Sequence, residues 1–266
     1  MTSIGKKLRM GKIFATDGRA LILAYDHRSG GNTGPGLADP SKTIDAIVEG
    51  GADAIMTTLG VIRQHHEEMA GRLGVIVRTD CVGSRYTPPE QRAAAWPEFV
   101  SVETAVRLGC DAVINMVILG APNELKALEF ATKLSQECEK LAMPWAAEII
   151  PGFGGKPLPN NKETVLACCQ VSEELGADFV KTHWPGSEKD LREAISTVKI
   201  PILLAGGAPT SSGREYLEQA ESILNAGAKG FFCGRNIFTY KDPAKMTQAI
   251  AMILSLIHIS EPTRPY

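Results

Sequence analysis

The sequence carries almost no excess of charge of either sign, and this already limits its partners. It contains 28 Lys and Arg against 30 Asp and Glu, for a formal net charge of -2. Nucleic-acid binding depends on concentrated Lys and Arg side chains that neutralise phosphates. We therefore expect no nucleic-acid partner for this chain.

Cysteine pairs and long apolar runs are also missing. The six cysteines form no CxxC pair and no zinc-ligand spacing, and His65 and His66 lack partners at metal-ligand spacing. No apolar run reaches the roughly 18 residues of a membrane span, and the N-terminus lacks the apolar core of a signal peptide. We therefore expect a cytoplasmic globular protein with reduced thiols, no membrane contact, no metal site and no organic cofactor.

What the sequence does contain is a repeating unit. Short apolar runs alternate with amphipathic stretches eight times, at about 30 residues per unit, which is the size of a βα repeat. The eight predicted strands begin at Leu21, Ala54, Val75, Ala112, Trp145, Phe179, Pro201 and Gly230. Four turns that lead into strands share a pattern, EGGAD, RLGCD, ELGAD and NAGAK, whose Gly suits the left-handed end of a helix.

Eight such units predict an α/β protein built as a single-domain (β/α)8 barrel, or TIM barrel. Near-continuous apolar strands between helices indicate a parallel sheet that is covered on both faces. An open, doubly wound sheet is the alternative on pattern alone. We place the barrel domain at residues 1-253. Residues 254-266 pass from an apolar run into Pro262 and Pro265, and we interpret them as a non-native or disordered tail.

Functional groups of βα barrels gather at the C-terminal ends of the strands, so polar residues there are the candidates. Asp26 directly follows the first strand, where a carboxylate suits acid/base chemistry; a loop-capping Asp is the alternative. Lys181 lies within the sixth strand, where burial favours a neutral amine that attacks a carbonyl and forms a Schiff base. A lysine paired with Asp26 or Glu148 is the alternative. His183 shares a strand face with Lys181 and by itself indicates a structural histidine.

Two glycine-containing loops follow the seventh and eighth strands. Gly206 and Gly207 come after the first of these strands, and Gly234 and Arg235 come after the second. Glycine lets backbone N–H groups approach an anion closely, arginine adds charge, and these two loops bind phosphate in many barrels. The two loops together predict a phosphate site.

Four motifs in this order, AYDHR, ADFVKTHWPG, PILLAGGAP and GAKGFFCGRNIF, resemble the class I aldolase family that includes archaeal-type fructose-bisphosphate aldolase and its DeoC/LacD relatives. The resemblance extends from about Gly5 to Ile253. It implies a (β/α)8 barrel that assembles into a homo-oligomer. It also implies that Lys181 is the Schiff-base lysine, that Asp26 is its acid/base partner, and that the two glycine loops with Arg235 bind a substrate phosphate.

One position departs from the family pattern. Many members carry a Tyr-Pro-Arg-Gly sequence at the end of the fifth strand, with its tyrosine as the proton-transfer group. Here the stretch is EIIPGFGGK, and Ile150, which cannot transfer a proton, stands in place of the tyrosine. Glu148 lies two residues earlier on the same strand face, so it either takes the acid/base role or pairs with Lys181. His183 and Tyr25 are lesser candidates.

The expected function is that of a metal-independent class I aldolase, which cleaves or forms a C–C bond in a phosphorylated ketose such as fructose 1,6-bisphosphate. In this scheme Asp26 shuttles protons as the carbinolamine forms, and Glu148 serves the hydroxyl whose proton must leave. The missing tyrosine motivates an alternative, an acyl- or aldol-type transferase similar to autoinducer-2-phosphate thiolase or amino-dideoxyheptulosonate synthase. A sugar-phosphate-binding barrel without catalysis is the third possibility.

Overall fold

All eight predicted strands are present in a computed structural model, which describes residues 3-81, 83-88, 100-152 and 158-260, with side chains to residue 256. The strands are parallel and close into one barrel in chain order, with the first strand hydrogen-bonded to the second and to the eighth. They are β1 (Ala20–Tyr25), β2 (Ala54–Thr57), β3 (Gly74–Arg78), β4 (Ala112–Leu119), β5 (Trp145–Pro151), β6 (Phe179–Thr182), β7 (Ile202–Ala205) and β8 (Gly230–Cys233). The closed order confirms the (β/α)8 barrel and excludes the open sheet.

Helices follow the strands and form the outer layer of the barrel. They are α1 (Ile4–Ile13), α2 (Pro40–Glu49), α3 (Leu59–Met69), α4 (Val102–Arg107), α5 (Glu124–Lys140), α6 (Lys162–Glu174), α7 (Glu188–Ser196), α8 (Gly213–Asn225), α9 (Arg235–Phe238) and α10 (Pro243–Ser260). A short 3-10 helix, His27–Gly30, follows β1. No helix in the part of the chain that the structure describes is both long and apolar enough to cross a membrane.

The repeated Gly-x-Asp turns fasten the sheet at its N-terminal end. Their glycines adopt left-handed φ angles as predicted, at 83° for Gly51, 74° for Gly109 and 85° for Gly176. Each aspartate accepts a hydrogen bond from a backbone N–H of the previous strand, Asp53 from Leu21 at 2.7 Å, Asp111 from Val75 at 3.0 Å and Asp178 from Trp145 at 2.8 Å. The motif that reveals the repeat in the sequence therefore joins neighbouring strands.

Helix α1 covers this N-terminal end of the barrel. Lys6 Nζ lies 3.0 Å from Asp178 Oδ2, and Arg9 donates a hydrogen bond to the carbonyl of Cys110 at 2.5 Å. Just beyond the helix, the ring of Phe14 packs edge-on against Phe179 inside the barrel, with 5.3 Å between ring centroids. With this end covered, the interior opens towards the C-terminal ends of the strands.

The barrel interior is built in layers from alternate strand residues, because successive side chains of a strand point to opposite faces. The lower layers are apolar and include Ala24, Ile76, Ala146, Phe179 and Phe232. The rings of Phe179 and Phe232 stack with 6.3 Å between their centroids. Two residues further along the same strands, the next layer is polar and consists of Asp26, Arg78, Glu148 and Lys181. This polar layer rests on a buried apolar layer.

Helix α10 spans the domain boundary that the sequence predicts after residue 253. It runs from Pro243 to Ser260, and Leu254 is buried in the core, where its carbonyl accepts a hydrogen bond from Arg19 at 3.2 Å. The boundary predicted after residue 253 therefore falls inside a helix that continues to Ser260. Residues 261-266 lie outside the described residues, and the interpretation of a non-native tail stays a prediction.

Candidate active site

Lys181 lies on β6 inside the barrel and contacts Glu148 on β5. The two residues are direct partners in the parallel pairing of these strands, and Lys181 Nζ lies 2.6 Å from Glu148 Oε1. Lys181 is 6% exposed and Glu148 is 5% exposed. The amine also lies over the ring of Phe232, 5.4 Å from its centroid. Lys181 is therefore buried at a strand end and paired with Glu148, and its role as a Schiff-base amine stays a prediction.

Arg78 at the end of β3 lies at the centre of the polar layer. Its Nη2 donates to Glu148 Oε2, its Nε donates to Asp26 Oδ2 at 2.5 Å, and its Nη1 donates to Asp80 Oδ1 at 3.1 Å. The other oxygen of Asp80 accepts a hydrogen bond from the backbone N–H of Met116 on β4 at 2.7 Å. One guanidinium therefore connects the two carboxylates that the sequence nominates as acid/base groups.

The cations around these carboxylates outweigh the cost of burying them. Burial alone raises the pKa of Asp26, but Arg78 and Lys181 together lower that pKa to about 2. Burial also opposes the charge of Glu148, yet Lys181 and Arg78 hold the pKa of Glu148 below its ordinary value. Asp80 differs, because burial raises its pKa and Arg78 offsets that effect only in part. Asp26 and Glu148 are therefore ionised near neutral pH.

Arg78 and Asp80 are not among the residues that the sequence nominated. The signal was available, because VIVRTD places two charged residues at the end of an apolar strand, the same reasoning that singled out Asp26 and Lys181. Arg78 is only 5% exposed and Asp80 only 4% exposed. Charged side chains this deeply buried need partners, and the partners come from other strands.

A cavity of about 200 Å³ opens above the amine. Asp26, Arg78, Glu148 and Lys181 form its floor with Met116, and its walls are His27, Ser29, Gly30, Asn32 and Cys81. The Gly-rich stretch after β1 therefore lines the site, with its first turn in the 3-10 helix. A small carbonyl compound in this cavity would contact both the amine and the carboxylates.

A second cavity, of about 400 Å³, lies beside the first at the ends of β6, β7 and β8. Its lining includes Gly206, Gly207, Arg235 and His183, which the sequence nominated, together with Trp184. The structure thus brings together most of the predicted phosphate loop, and Arg235 is exposed to the cavity. Gly234 does not line this cavity. A Cβ at its position would lie 2.8 Å from the carbonyl oxygen of Ala24, so glycine is needed there for close packing against β1.

Asn236 holds the loop after β7, the predicted phosphate loop, in shape, and the sequence did not nominate it. Its side-chain amide donates to the carbonyls of Gly206 at 2.7 Å and Ala208 at 3.0 Å, and its carbonyl oxygen accepts from the backbone N–H of Thr210 at 3.1 Å. These bonds occupy carbonyl groups of the loop after β7. Nothing in the local sequence indicates that a residue of α9 ties down a loop that precedes it by about thirty positions.

The two lesser acid/base candidates, His183 and Tyr25, lie in different places, and His27, which the sequence did not nominate for this role, also lines a cavity. His27 and His183 each line a cavity, and burial lowers the pKa of both. Tyr25 lies on the opposite face of β1, where its hydroxyl donates to the carbonyl of Gly36 at 2.7 Å and its ring packs against Phe238. Tyr25 does not line the cavity that holds Lys181, and its candidacy was wrong because strand alternation turns it towards the helices.

Ile150 lies on the interior face of β5, two residues beyond Glu148. It is 3% exposed and packs in a small apolar cluster with Ile118, Ala121 and Met116. The position at which the resemblance implies a tyrosine is therefore an apolar contact here. The carboxylate of Glu148 is the group on this strand that reaches the amine.

Among the described residues, no group of three or more His, Cys, Asp or Glu side chains is arranged to hold a metal ion. The fold and the site together define a class, the (β/α)8 barrels that carry a lysine amine among carboxylates at the C-terminal ends of their strands. Comparison with known proteins narrows this class to one family. A model of the DeoC/LacD family aldolases matches residues 20-240, and the chain belongs to this family.

Sequence similarity to two named enzymes extends over nearly the full length of the chain. It is 29% identical to the class 1 fructose-bisphosphate aldolase of Thermoproteus tenax, over 91% of this chain and 92% of that protein. It is 30% identical to the 2-amino-3,7-dideoxy-D-threo-hept-6-ulosonate synthase of Halobacterium salinarum, over 96% of this chain and 93% of that protein. The fold is similar to that of a Schiff-base-forming fructose-1,6-bisphosphate aldolase, with a TM-score of 0.84 and 27% identity over 94% of this chain and 99% of the other.

Proposed function

We propose that this protein is a class I aldolase that forms a Schiff base through Lys181 and cleaves or forms a C–C bond in a phosphorylated ketose such as fructose 1,6-bisphosphate. The observation that carries the proposal is the buried Lys181 amine, 2.6 Å from Glu148 Oε1 at the floor of an open cavity. A related solved structure, 27% identical, is of an archaeal fructose-1,6-bisphosphate aldolase whose catalytic lysine is covalently bound to the carbinolamine intermediate. That likeness supports assigning the same covalent chemistry to Lys181.

Imine formation begins with proton transfer from the Lys181 ammonium to Glu148 Oε1, which leaves a neutral amine. The nitrogen lone pair attacks the ketone carbon, and the carbonyl oxygen takes a proton from the nitrogen to give the carbinolamine. Glu148 returns its proton to the carbinolamine hydroxyl, which leaves as water, and a cationic iminium remains. The 2.6 Å contact favours Glu148 for this role, which the sequence-based scheme had given to Asp26.

The iminium then acts as the electron sink for C–C cleavage. The electron pair of the bond between the carbon beside the imine and the hydroxyl-bearing carbon moves towards the nitrogen and forms an enamine. The hydroxyl proton of the departing fragment must leave at the same time, so that an aldehyde forms. Asp26 lines the cavity as a carboxylate and is placed to take this proton. It then returns the proton to the enamine carbon, and water releases the second product.

The cavity at the ends of β6, β7 and β8 supplies the phosphate site of the proposal. Arg235 provides a cation, and the loop of Gly206 and Gly207 permits close approach of an anion to the backbone. His183, which lines this cavity, follows Lys181 by two residues and lies just after β6, so a ligand that fills this cavity would extend towards the amine. Phosphate binding therefore orients the ketone over Lys181.

Reductive trapping tests the proposal directly. The protein is incubated with dihydroxyacetone phosphate or fructose 1,6-bisphosphate, reduced with sodium borohydride and analysed by peptide mass spectrometry. We expect a ligand adduct on the peptide that contains Lys181 and no effect of EDTA on its yield. Protein that binds phosphate but gives no adduct with either compound would contradict the proposal.

A second candidate is an acyl- or aldol-type transferase on the same scaffold. Two observations favour it, the apolar Ile150 in place of the tyrosine and the 30% identity to a heptulosonate synthase. Product analysis separates the candidates, with fructose 1,6-bisphosphate in one assay and a phosphorylated diketone with coenzyme A in the other. Turnover in either assay also excludes a purely sugar-phosphate-binding barrel. We also propose that the chain forms a homo-oligomer, to be tested by sedimentation.

A further inference from the structure

Arg78 contacts both acid/base carboxylates through one oxygen each. Its Nε donates to Asp26 Oδ2 at 2.5 Å and its Nη2 donates to Glu148 Oε2. The second oxygen of each carboxylate points elsewhere, with Glu148 Oε1 2.6 Å from Lys181 Nζ and Asp26 Oδ1 3.5 Å from His27 Nδ1 beside the cavity. Each carboxylate therefore has one oxygen occupied by the guanidinium and one oxygen left for chemistry.

We propose that Arg78 is a positioning residue, which aims one free oxygen of Glu148 at the Schiff-base nitrogen and one free oxygen of Asp26 at the substrate. The inference rests on the proposed Schiff-base function and adds a division of labour to it. Glu148 transfers the proton at the Schiff-base nitrogen, and Asp26 transfers the proton at the substrate hydroxyl. The guanidinium of Arg78 lies between the two carboxylates and holds them apart.

Asp80 holds Arg78 in position through a guanidinium nitrogen that contacts neither acid/base carboxylate. Its Nη1 donates to Asp80 Oδ1 at 3.1 Å, and Asp80 Oδ2 accepts from the Met116 N–H at 2.7 Å, so the guanidinium is tied to the backbone of β4. A planar guanidinium presents its donors in a fixed fork, whereas an ammonium is a point charge on a flexible stem. Lysine at position 78 would keep the charge and lose this fork.

The same contacts argue against a substrate-binding role for Arg78. The Nε and both terminal nitrogens donate within the protein, and Nη2 also lies 3.9 Å from Met56 Sδ. The residue is 5% exposed, below the level of the cavity walls. Arg235, which is exposed in the neighbouring cavity, is the cation available to a ligand.

The groups that face this centre come from several strand ends, and both signs of charge are present. The charged or titratable ones are Asp26 and His27 after β1, Asp80 and Cys81 after β3, Glu148 on β5, Lys181 and His183 on and after β6, and Arg235 after β8. The residues that β2 and β4 contribute are uncharged, Met56 and Met116. Removing the positive charge of Arg78 leaves three carboxylates, of which Asp80 and Glu148 are buried, near the ammonium of Lys181.

The test measures adduct formation on Lys181 with dihydroxyacetone phosphate across the acidic pH range, with cyanoborohydride as the trap because it reduces imines in mild acid. In Arg78→Met the carboxylates lose a neighbouring cation, so the acid limb of the rate should move to higher pH by about 1 to 3 units. In Asp80→Asn the same centre loses a negative charge, so the limb should not rise. General damage to the barrel would not give effects that differ in this way.

A second variant, Arg78→Lys, tests the same proposal if Arg78→Met does not fold. We expect its acid limb to stay near that of the wild type, because the charge remains, and its trapping rate to fall about tenfold or more, because one ammonium cannot replace the fork. A wild-type rate in Arg78→Lys, or an unmoved acid limb in folded Arg78→Met, overturns the positioning role alone. Absence of any Lys181 adduct in the wild type overturns the proposed function and this inference with it.

Discussion

Glu148 and Lys181 are direct partners across β5 and β6, and their side chains meet at 2.6 Å inside the barrel. Because both residues lie within regular strands, the backbone pairing fixes their separation, and no loop has to close to bring them together. Each sits two residues beyond an apolar interior residue, Ala146 or Phe179, that keeps water from below. An amine and a carboxylate held in this way are within hydrogen-bond distance of each other.

Replacing Lys181 by Met should abolish turnover and borohydride trapping, because the nucleophilic nitrogen is lost while most of the unbranched side chain is kept. Binding of inorganic phosphate, measured by calorimetry, should remain, since the phosphate cavity is lined by other residues. Lys189→Met is the matched control, because Lys189 is exposed on α7. An adduct that persists in Lys181→Met would show that another amine forms the imine.

Glu148→Gln should slow imine formation by about a hundredfold or more, since an amide cannot accept the ammonium proton. The shape of the side chain is nearly unchanged, so the thermal unfolding midpoint tells a chemical effect from misfolding. Glu163→Gln, at an exposed position on α6, is the control. If trapping rates of Glu148→Gln and wild type are equal, Glu148 only pairs with Lys181 and takes no part in proton transfer.

Arg235→Met should raise KM for a phosphorylated ketose by about 10- to 100-fold, because a hydrogen bond to a charged group contributes about 1.5-3 kcal/mol. The KM of the unphosphorylated analogue should not change. Arg214→Met serves as control, since Arg214 is exposed on α8 and does not line the cavity. Equal losses for both substrates would place the phosphate elsewhere.

Ile150→Tyr restores the side chain that many family members carry, next to Glu148 on the same strand face. If the chain is an aldolase that compensates for the missing tyrosine, this variant should cleave fructose 1,6-bisphosphate at least as fast as the wild type. Ile150→Phe is the matched control, with similar bulk in the cluster of Ile118 and Ala121 but no hydroxyl. Equal rates in the two variants would show that the hydroxyl contributes nothing at this position.

Asp26 should make stability depend on pH in acid. Its pKa is about 2 in the folded protein against 3.8 ordinarily, so its contribution is complete above about pH 4 and is lost as the pH falls through about 2. The size of that contribution is about 2.5 kcal/mol. Urea unfolding of wild type and Asp26→Asn should therefore differ most near neutral pH and converge in strong acid. A difference that stays constant with pH would contradict the lowered pKa.

Local patterns were enough to predict the elements of the fold. The apolar runs that begin at Leu21 and Trp145 became strands, because buried parallel strands need near-continuous apolar sequence. Gly51 and Gly109 ended helices as expected, because their left-handed φ is a local property of glycine. The end of α10 was less predictable, since burial of Leu254 depends on contacts distant in sequence.

Periodicity and residue order along the chain are enough to predict the eightfold βα repeat and the strand-end position of Asp26, Lys181 and the glycine loops. Which charged side chains contact each other depends on how the barrel closes. Arg78 lies between Asp26 and Glu148 because barrel closure brings β1, β3 and β5 around one interior, and no spacing along the chain encodes that distance. Asn236 likewise holds Gly206 through a hydrogen bond that connects two loops. The ionisation of the buried carboxyl groups depends on such tertiary contacts, since neighbouring charges shift the pKa of a buried carboxyl.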